Sequence, residues 1–199
     1  HGFYPFFLEH TNYSENLLKT MNMMIEVDVL LIRQIELKYL TKIKKLYYLL
    51  ALETGKSPNV SKLAETIDTS RATVMNYIKY LADARLLNII YHQGSVFPKK
   101  PAMVVVNNPN LIYTVYPRNF GDREILNSFF INQLRKDHTV NKERATDAYR
   151  IDGETSVRIS AEGEGESRAR GKKNYYTASS GLVVGKGRKI PLWLFGFLY

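Results

Sequence analysis

The sequence contains no cysteine, which excludes disulfides, thiolate zinc sites and cysteine nucleophiles and suits a reducing compartment, the cytoplasm. It also lacks any apolar run near the roughly 20 residues that a membrane-spanning helix needs. The longest, Ile190 to Tyr199, stops at ten, so no membrane partner is expected. No cleavable leader opens the sequence. A phosphate-binding GxxxxGK[ST] loop is missing too. Its nearest imitation, Gly165 through Gly171-Lys172-Lys173, has one residue too many between glycines and no Ser/Thr for magnesium, and it carries Glu166 where phosphate would sit. The four histidines, His1, His10, His92 and His138, are far apart and fit no metal-ligand spacing, and no GxSxG elbow occurs.

What is present suffices for a sizeable core. With 199 residues, 45% hydrophobic and 12% aromatic, the chain should hold one or two compact domains. Its net charge of +9 is unevenly placed. Between Lys38 and Lys100 eleven Lys/Arg face four acids, a bias suited to phosphate, although basic solvated faces also serve solubility.

The stretch from Asn59 to Leu86 has two apolar stripes at helical spacing. Val60, Leu63, Ala64 and Ile67 form the first, and Val74, Tyr77, Ile78 and Leu81 the second. Asp68-Thr69-Ser70 is short enough only for a tight turn, and Ser70 is a good N-cap for the second helix. The face opposite Val74 and Ile78 holds Ala72, Asn76, Lys79 and Asp83, flanked by Arg71 and Thr73. Such side chains suit base edges or phosphates in a major groove. The same pattern occurs in helical bundles that touch no nucleic acid, and Asp83 would oppose phosphate. Two β-branched runs follow, LNIIY at 87–91 and MVVV at 103–106, joined by a loop with Gly94, Pro98, Lys99, Lys100 and Pro101. Helix, helix and hairpin in that order make a winged helix, with Lys99 and Lys100 on the wing.

Taken in order, residues 1–35 are a helical lead-in with an amphipathic helix over about 13–26. The aromatic opening HGFYPFFLEH looks like part of a longer protein. Residues 36–116 form the winged-helix domain, whose first helix runs over about 36–52 and ends at Gly55. Asn107 to Asn110 read as a turn, LIYTVY as a short apolar stretch and 117–121 as a linker. Residues 121–199 begin with a helix over about 122–136. Strands follow at 148–151, 156–160, 175–178 and 182–184, with the IPLWLF tail as a core strand. The fold class is α+β.

Five segments carry a resemblance to a known family: GFYPFFLE, PNVSKLAETIDTSRATVMNYIKYLADARLLN, NNPNLIY, FFINQL and IPLWLFGFLY. In this order they resemble the C-terminal half of prokaryotic AAA-type ATPases, in which an ATPase core is followed by a winged helix and a nuclease-like domain. The resemblance implies an ATP site before His1 and an upstream ATPase domain as partner. It also implies a last domain similar to the PD-(D/E)xK nuclease fold, where acids on neighbouring strands hold a divalent cation, magnesium by the chemistry of hard oxygen ligands. Asp147 lies where the first acid is expected, and Glu162 or Glu164 are candidates for the second. Neither Glu has a Lys two residues on, and Asn127 stands where the family's helix bears a Glu, with Glu124 out of register.

Three functions follow as expectations. The first is DNA binding through Ser70, Arg71, Thr73, Asn76, Lys79, Lys99 and Lys100, beside an inactive nuclease-like domain and with no cofactor. The second is an interaction module or scaffold packing on an ATPase core. The third is a magnesium-dependent nuclease using Asp147 with Glu162 or Glu164.

Overall fold

The computed structural model describes residues 12–31, 35–115, 121–164 and 173–198. All but Gly121 of the expected linker at 117–121, and all but Lys173 of the glycine-rich imitation of a phosphate loop at 165–173, lie outside them. The architecture is α+β. Helix α1 (Tyr13–Met24) buries Leu17 and Met21, then widens into a π-helical segment, Ile25–Leu31, that buries Ile25 and Val29. A 3-10 turn, Leu37–Tyr39, leads into α2 (Leu40–Leu52), whose inward stripe is Ile43, Leu46, Tyr47, Leu50 and Ala51, as its spacing requires. Gly55, at φ +82°, ends this helix by reversing the chain in a conformation that favours glycine.

Helix α3 (Val60–Thr66) is capped by Asn59, whose side chain accepts from the Lys62 N–H. Helix α4 (Arg71–Asp83) follows after four residues, with Val74, Tyr77, Ile78 and Leu81 buried. Strands β1 (Leu87–His92) and β2 (Met103–Val106) then pair antiparallel, from Leu87 opposite Val106 to Ile90 opposite Met103. Lys56 bridges Val104 on the outer side of β2, through Val104 N–H to Lys56 O at 3.0 Å and Gly55 N–H to Val104 O at 2.9 Å.

Residues 109–115 form helix α5 (Pro109–Val115), where a turn and an apolar stretch were expected. Asn108 accepts the Asn110 N–H at 2.9 Å and Pro109 takes the first helical position, where a missing N–H costs nothing. Helix α6 (Asp122–Leu134) docks on β2 through the buried Ser128 hydroxyl, which donates to Val106 O at 2.7 Å. Five strands follow: β3 (Val140–Lys142), β4 (Ala148–Ile151), β5 (Thr155–Ser160), β6 (Tyr175–Ser179) and β7 (Lys189–Pro191). They continue one seven-stranded sheet in the order β2-β1-β3-β4-β5-β6-β7. Strands β3, β4 and β5 alternate in direction, and β6 and β7 run parallel to β5.

Two parts of the tail differ from expectation. Residues 182–184 form no strand, and Val183 and Val184 are about three-quarters exposed. The IPLWLF segment gives only the end of β7 before a 3-10 helix, Leu192–Phe197, which buries Leu192 and Phe195 but leaves Trp193 half exposed. Strand and helix cannot be told apart from an unbroken apolar run, and here the winding into a 3-10 turn begins right after Pro191.

The β1–β2 hairpin is shared by two cores. Leu87, Val104 and Val106 join the cluster built by α1 to α5, whereas Ile90, Met103 and Val105 join the one built by α6 and the later strands. Alternation along each strand sends successive side chains to opposite faces, so one hairpin serves both.

Candidate nucleic-acid interface

The turn between α3 and α4 is held from several sides. Asp68 adopts φ +49°, Thr69 N–H donates to Ala64 O at 2.9 Å, and the Lys42 ammonium donates to the Asp68 carbonyl and carboxylate. Ser70 caps α4 by accepting the Thr73 N–H at 3.1 Å, and its hydroxyl lies 2.8 Å from that of Thr73. Both hydroxyls therefore have a structural task.

The expected outward face of α4 divides. Arg71 and Asn76 are exposed, with no side-chain hydrogen bond or ion pair among the described residues. Lys79 is half-buried and paired to Asp83 at 3.1 Å, one helical turn on, which neutralises the carboxylate that would oppose phosphate. Lys99 and Lys100 are exposed on the hairpin loop and likewise uncommitted among the described residues.

Other cations of the basic stretch have partners within the chain. Lys44 pairs with Glu26 at 2.7 Å, Lys45 donates to Thr66 O at 2.9 Å, and Lys38 pairs with Glu36. Lys44 and Lys45, with Lys42, thus brace α2 against its neighbours.

Between α4 and the hairpin runs a groove of about 250 Å³. Lys79 and Asp83 line it from the helix, Asn88 and Tyr91 from β1, Phe97 from the loop and Arg135 from the end of α6. The Arg135 guanidinium donates to Ile89 O at 2.7 Å. The Tyr91 hydroxyl is buried without a hydrogen-bond partner among the described residues. Burial pushes its pKa up against the opposing pull of Arg135, so it stays a donor. Phe97, Tyr91 and Arg135 were not singled out by spacing, since each depends on how the hairpin and α6 meet. The exposed Val96-Phe97 pair beside two lysines was the available signal.

The carboxylates of the second half are arranged differently from a metal centre. Asp147 and Glu164 are brought together, but around a guanidinium. Arg123 of α6 donates to Asp147 and, at 2.7 Å, to Glu164; Lys142 holds Asp147 at 2.6 Å and Arg158 holds Glu164 at 3.3 Å. Burial works against ionisation of Asp147, yet hydrogen bonding and charge from Lys142, aided by Arg123, outweigh it and lower its pKa. The hydrogen bond from Arg123 likewise lowers that of Glu164, against a smaller opposing effect of burial. Glu162 is exposed and packs by Gly181, apart from these ion pairs. Asn127 sits in the core, accepting from the Tyr149 hydroxyl at 2.8 Å. Among the described residues no group of three or more His, Cys, Asp or Glu could hold a metal ion, and no helix is long and apolar enough to cross a membrane.

A family model covers residues 1–102, the lead-in, α1 to α4, β1 and the loop carrying Lys99 and Lys100. The chain belongs to the family described as Domain of unknown function (DUF8612). The family match thus takes in every expected nucleic-acid residue and stops before β2, leaving the Arg123 cluster outside it. No curated protein and no solved structure matches the chain.

Proposed function

We propose that this chain binds duplex DNA as the winged-helix region of an AAA-type ATPase, with α4 in the major groove and the loop at 93–102 as the wing. One observation carries the reading. Arg71 and Asn76 of α4 and Lys99 and Lys100 of the loop are exposed and uncommitted among the described residues, while Lys79 and Phe97 line one groove, so helix and loop edge the same side. Cations left free by the fold are the ones that can release counterions from phosphate.

In this reading Arg71 and Asn76 reach base edges or phosphates. Lys99 and Lys100 take the backbone, Ser70 and Thr73 fix the start of the helix, and the Lys79 ammonium offsets the charge of the Asp83 carboxylate. The half from Asp122 onward is a nuclease-like unit without activity, because Arg123 occupies the space between the two carboxylates that a metal would need. No cofactor enters, magnesium belongs only to the nuclease alternative, and the chain works in the cytoplasm beside its ATPase domain.

Titrating the full chain with duplex DNA over a range of salt tests this. Three or four phosphate contacts give a log K against log salt slope of about −3, and a slope near zero or no binding at low salt ends the reading.

A second reading, an interaction module packing on the ATPase core, is favoured by the exposed apolar side chains Trp193, Leu194, Phe197 and Leu198 near the end of the chain. A stoichiometric complex with that core, with no affinity for DNA, would support it.

A further inference from the structure

The groove beside α4 has features that a duplex contact leaves unused. Its Phe97 ring belongs to a loop and is partly exposed next to Val96, where packing does not require an aromatic. Arg135 spends one N–H on Ile89 O and keeps the rest of its fork. The buried Tyr91 hydroxyl has no acceptor among the described residues, a loss that a ligand oxygen would make good. Lys79 already balances Asp83, so Arg135 leaves the groove positive.

Resting on the DNA-binding reading, we propose that this groove takes one unpaired nucleotide at the end or fork of a duplex, its base against Phe97 and its phosphate between Arg135 and the Tyr91 hydroxyl. An aromatic face beside a cation is how single strands are held without regard to sequence, since every base offers a π face. A paired base cannot enter, because its faces are covered by its neighbours in the stack. The protein would thus distinguish a junction or frayed end from an unbroken duplex. Arg135 lies at the end of α6, so the second half of the chain completes a site that the DUF8612 segment only begins.

The test compares the full chain on two labelled DNAs by fluorescence anisotropy: a blunt duplex, and the same duplex with a short single-stranded overhang containing 2-aminopurine. Wild type should prefer the overhang by about tenfold, and 2-aminopurine fluorescence should fall on binding as the base stacks on the ring. Phe97→Ala should bring the ratio of the two affinities to one and abolish the quench. Arg135→Gln should lower the ratio while leaving part of the quench, since the ring remains. Equal, salt-dependent binding of both DNAs by wild type overturns the groove and leaves the duplex reading standing. A preference that survives in both Phe97→Ala and Tyr91→Phe overturns it as well, and binding of neither DNA ends both readings.

Discussion

The Lys142 ammonium stands 2.6 Å from the Asp147 carboxylate, on strand β3 just before the turn that presents it. Arg123 reaches the same carboxylate and extends to Glu164, so two acids that could share a divalent cation share a guanidinium instead. A metal entering here would have to displace a cation already hydrogen-bonded to both. The full chain incubated with plasmid and magnesium should therefore leave the plasmid intact, and Asp147→Ala should behave the same. Cleavage by wild type that disappears in Asp147→Ala would restore the nuclease reading.

The same cluster ties stability to pH. Asp147 and Glu164 ionise more readily in the fold than in the unfolded chain, where carboxyls titrate near about 4. The stability they lend is thus fully present above that value and is lost as pH falls through their lowered folded values. Asp147 is half-exposed and screened, so Asp147→Asn should cost on the order of 1 kcal/mol at neutral pH. The difference in Tm between wild type and this variant should close as pH drops below about 4. A difference that stays constant to low pH would mean that Asp147 contributes nothing through its charge.

Ser70 offers a local test, and it marks how far the sequence was readable. Its cap on α4, the turn before it and both apolar stripes were legible because each rests on neighbours within a turn or two. Replacing Ser70 with Ala leaves the Thr73 N–H without its partner and should cost about 1 kcal/mol. In a chain of this size that lowers Tm by about 2–4 °C, measurable by thermal melts, whereas Ser70→Asp should keep the cap. What was not legible depended on distant partners. Helix α5 was hidden by reading Asn108-Pro109 as a turn when it is a cap followed by a first helical residue. The strand-like tail wound into a 3-10 turn after Pro191, and the partners of Asp147 come from α6 and β3, 24 and 5 residues away. Lys79 at the same spacing from Asp83 as any helical ion pair could have been foreseen, and it changes what the outer face of α4 offers.

The loop lysines separate positioning from recognition. Lys99 and Lys100 are exposed and tied to no carboxylate among the described residues, so replacing either with Gln should leave stability within about 0.5 kcal/mol of wild type. Each replacement should make the salt slope for duplex binding shallower by about one and weaken binding to all sequences alike. Asn76→Ala should instead narrow the difference between preferred and other sequences, with the slope unchanged, because an uncharged side chain releases no counterion. Loss of slope in Asn76→Ala, or none in Lys99→Gln and Lys100→Gln, would reverse the roles given to helix and loop.

The shared hairpin makes a prediction about cooperativity. Ile90 is fully buried in the core formed with α6 and the later strands, yet it lies on β1, three residues after Leu87, which packs in the core of α1 to α5. The junction is reinforced beyond the backbone ladder, since the His92 ring lies 2.8 Å from Lys142 O and the Asn141 amide donates to Tyr91 O. Melting one core therefore strips one face of the hairpin that the other needs. Ile90→Ala should destabilise by about 2–5 kcal/mol through lost burial and the cavity it leaves. Fluorescence of Trp193, half-exposed on the 3-10 helix whose Leu192 and Phe195 enter the second core, and helical circular dichroism, weighted to α1 to α4, should follow one transition that shifts as a unit in the variant. Two separated transitions in urea, with only the fluorescence moving in Ile90→Ala, would show that the hairpin does not couple the cores and that each half folds by itself.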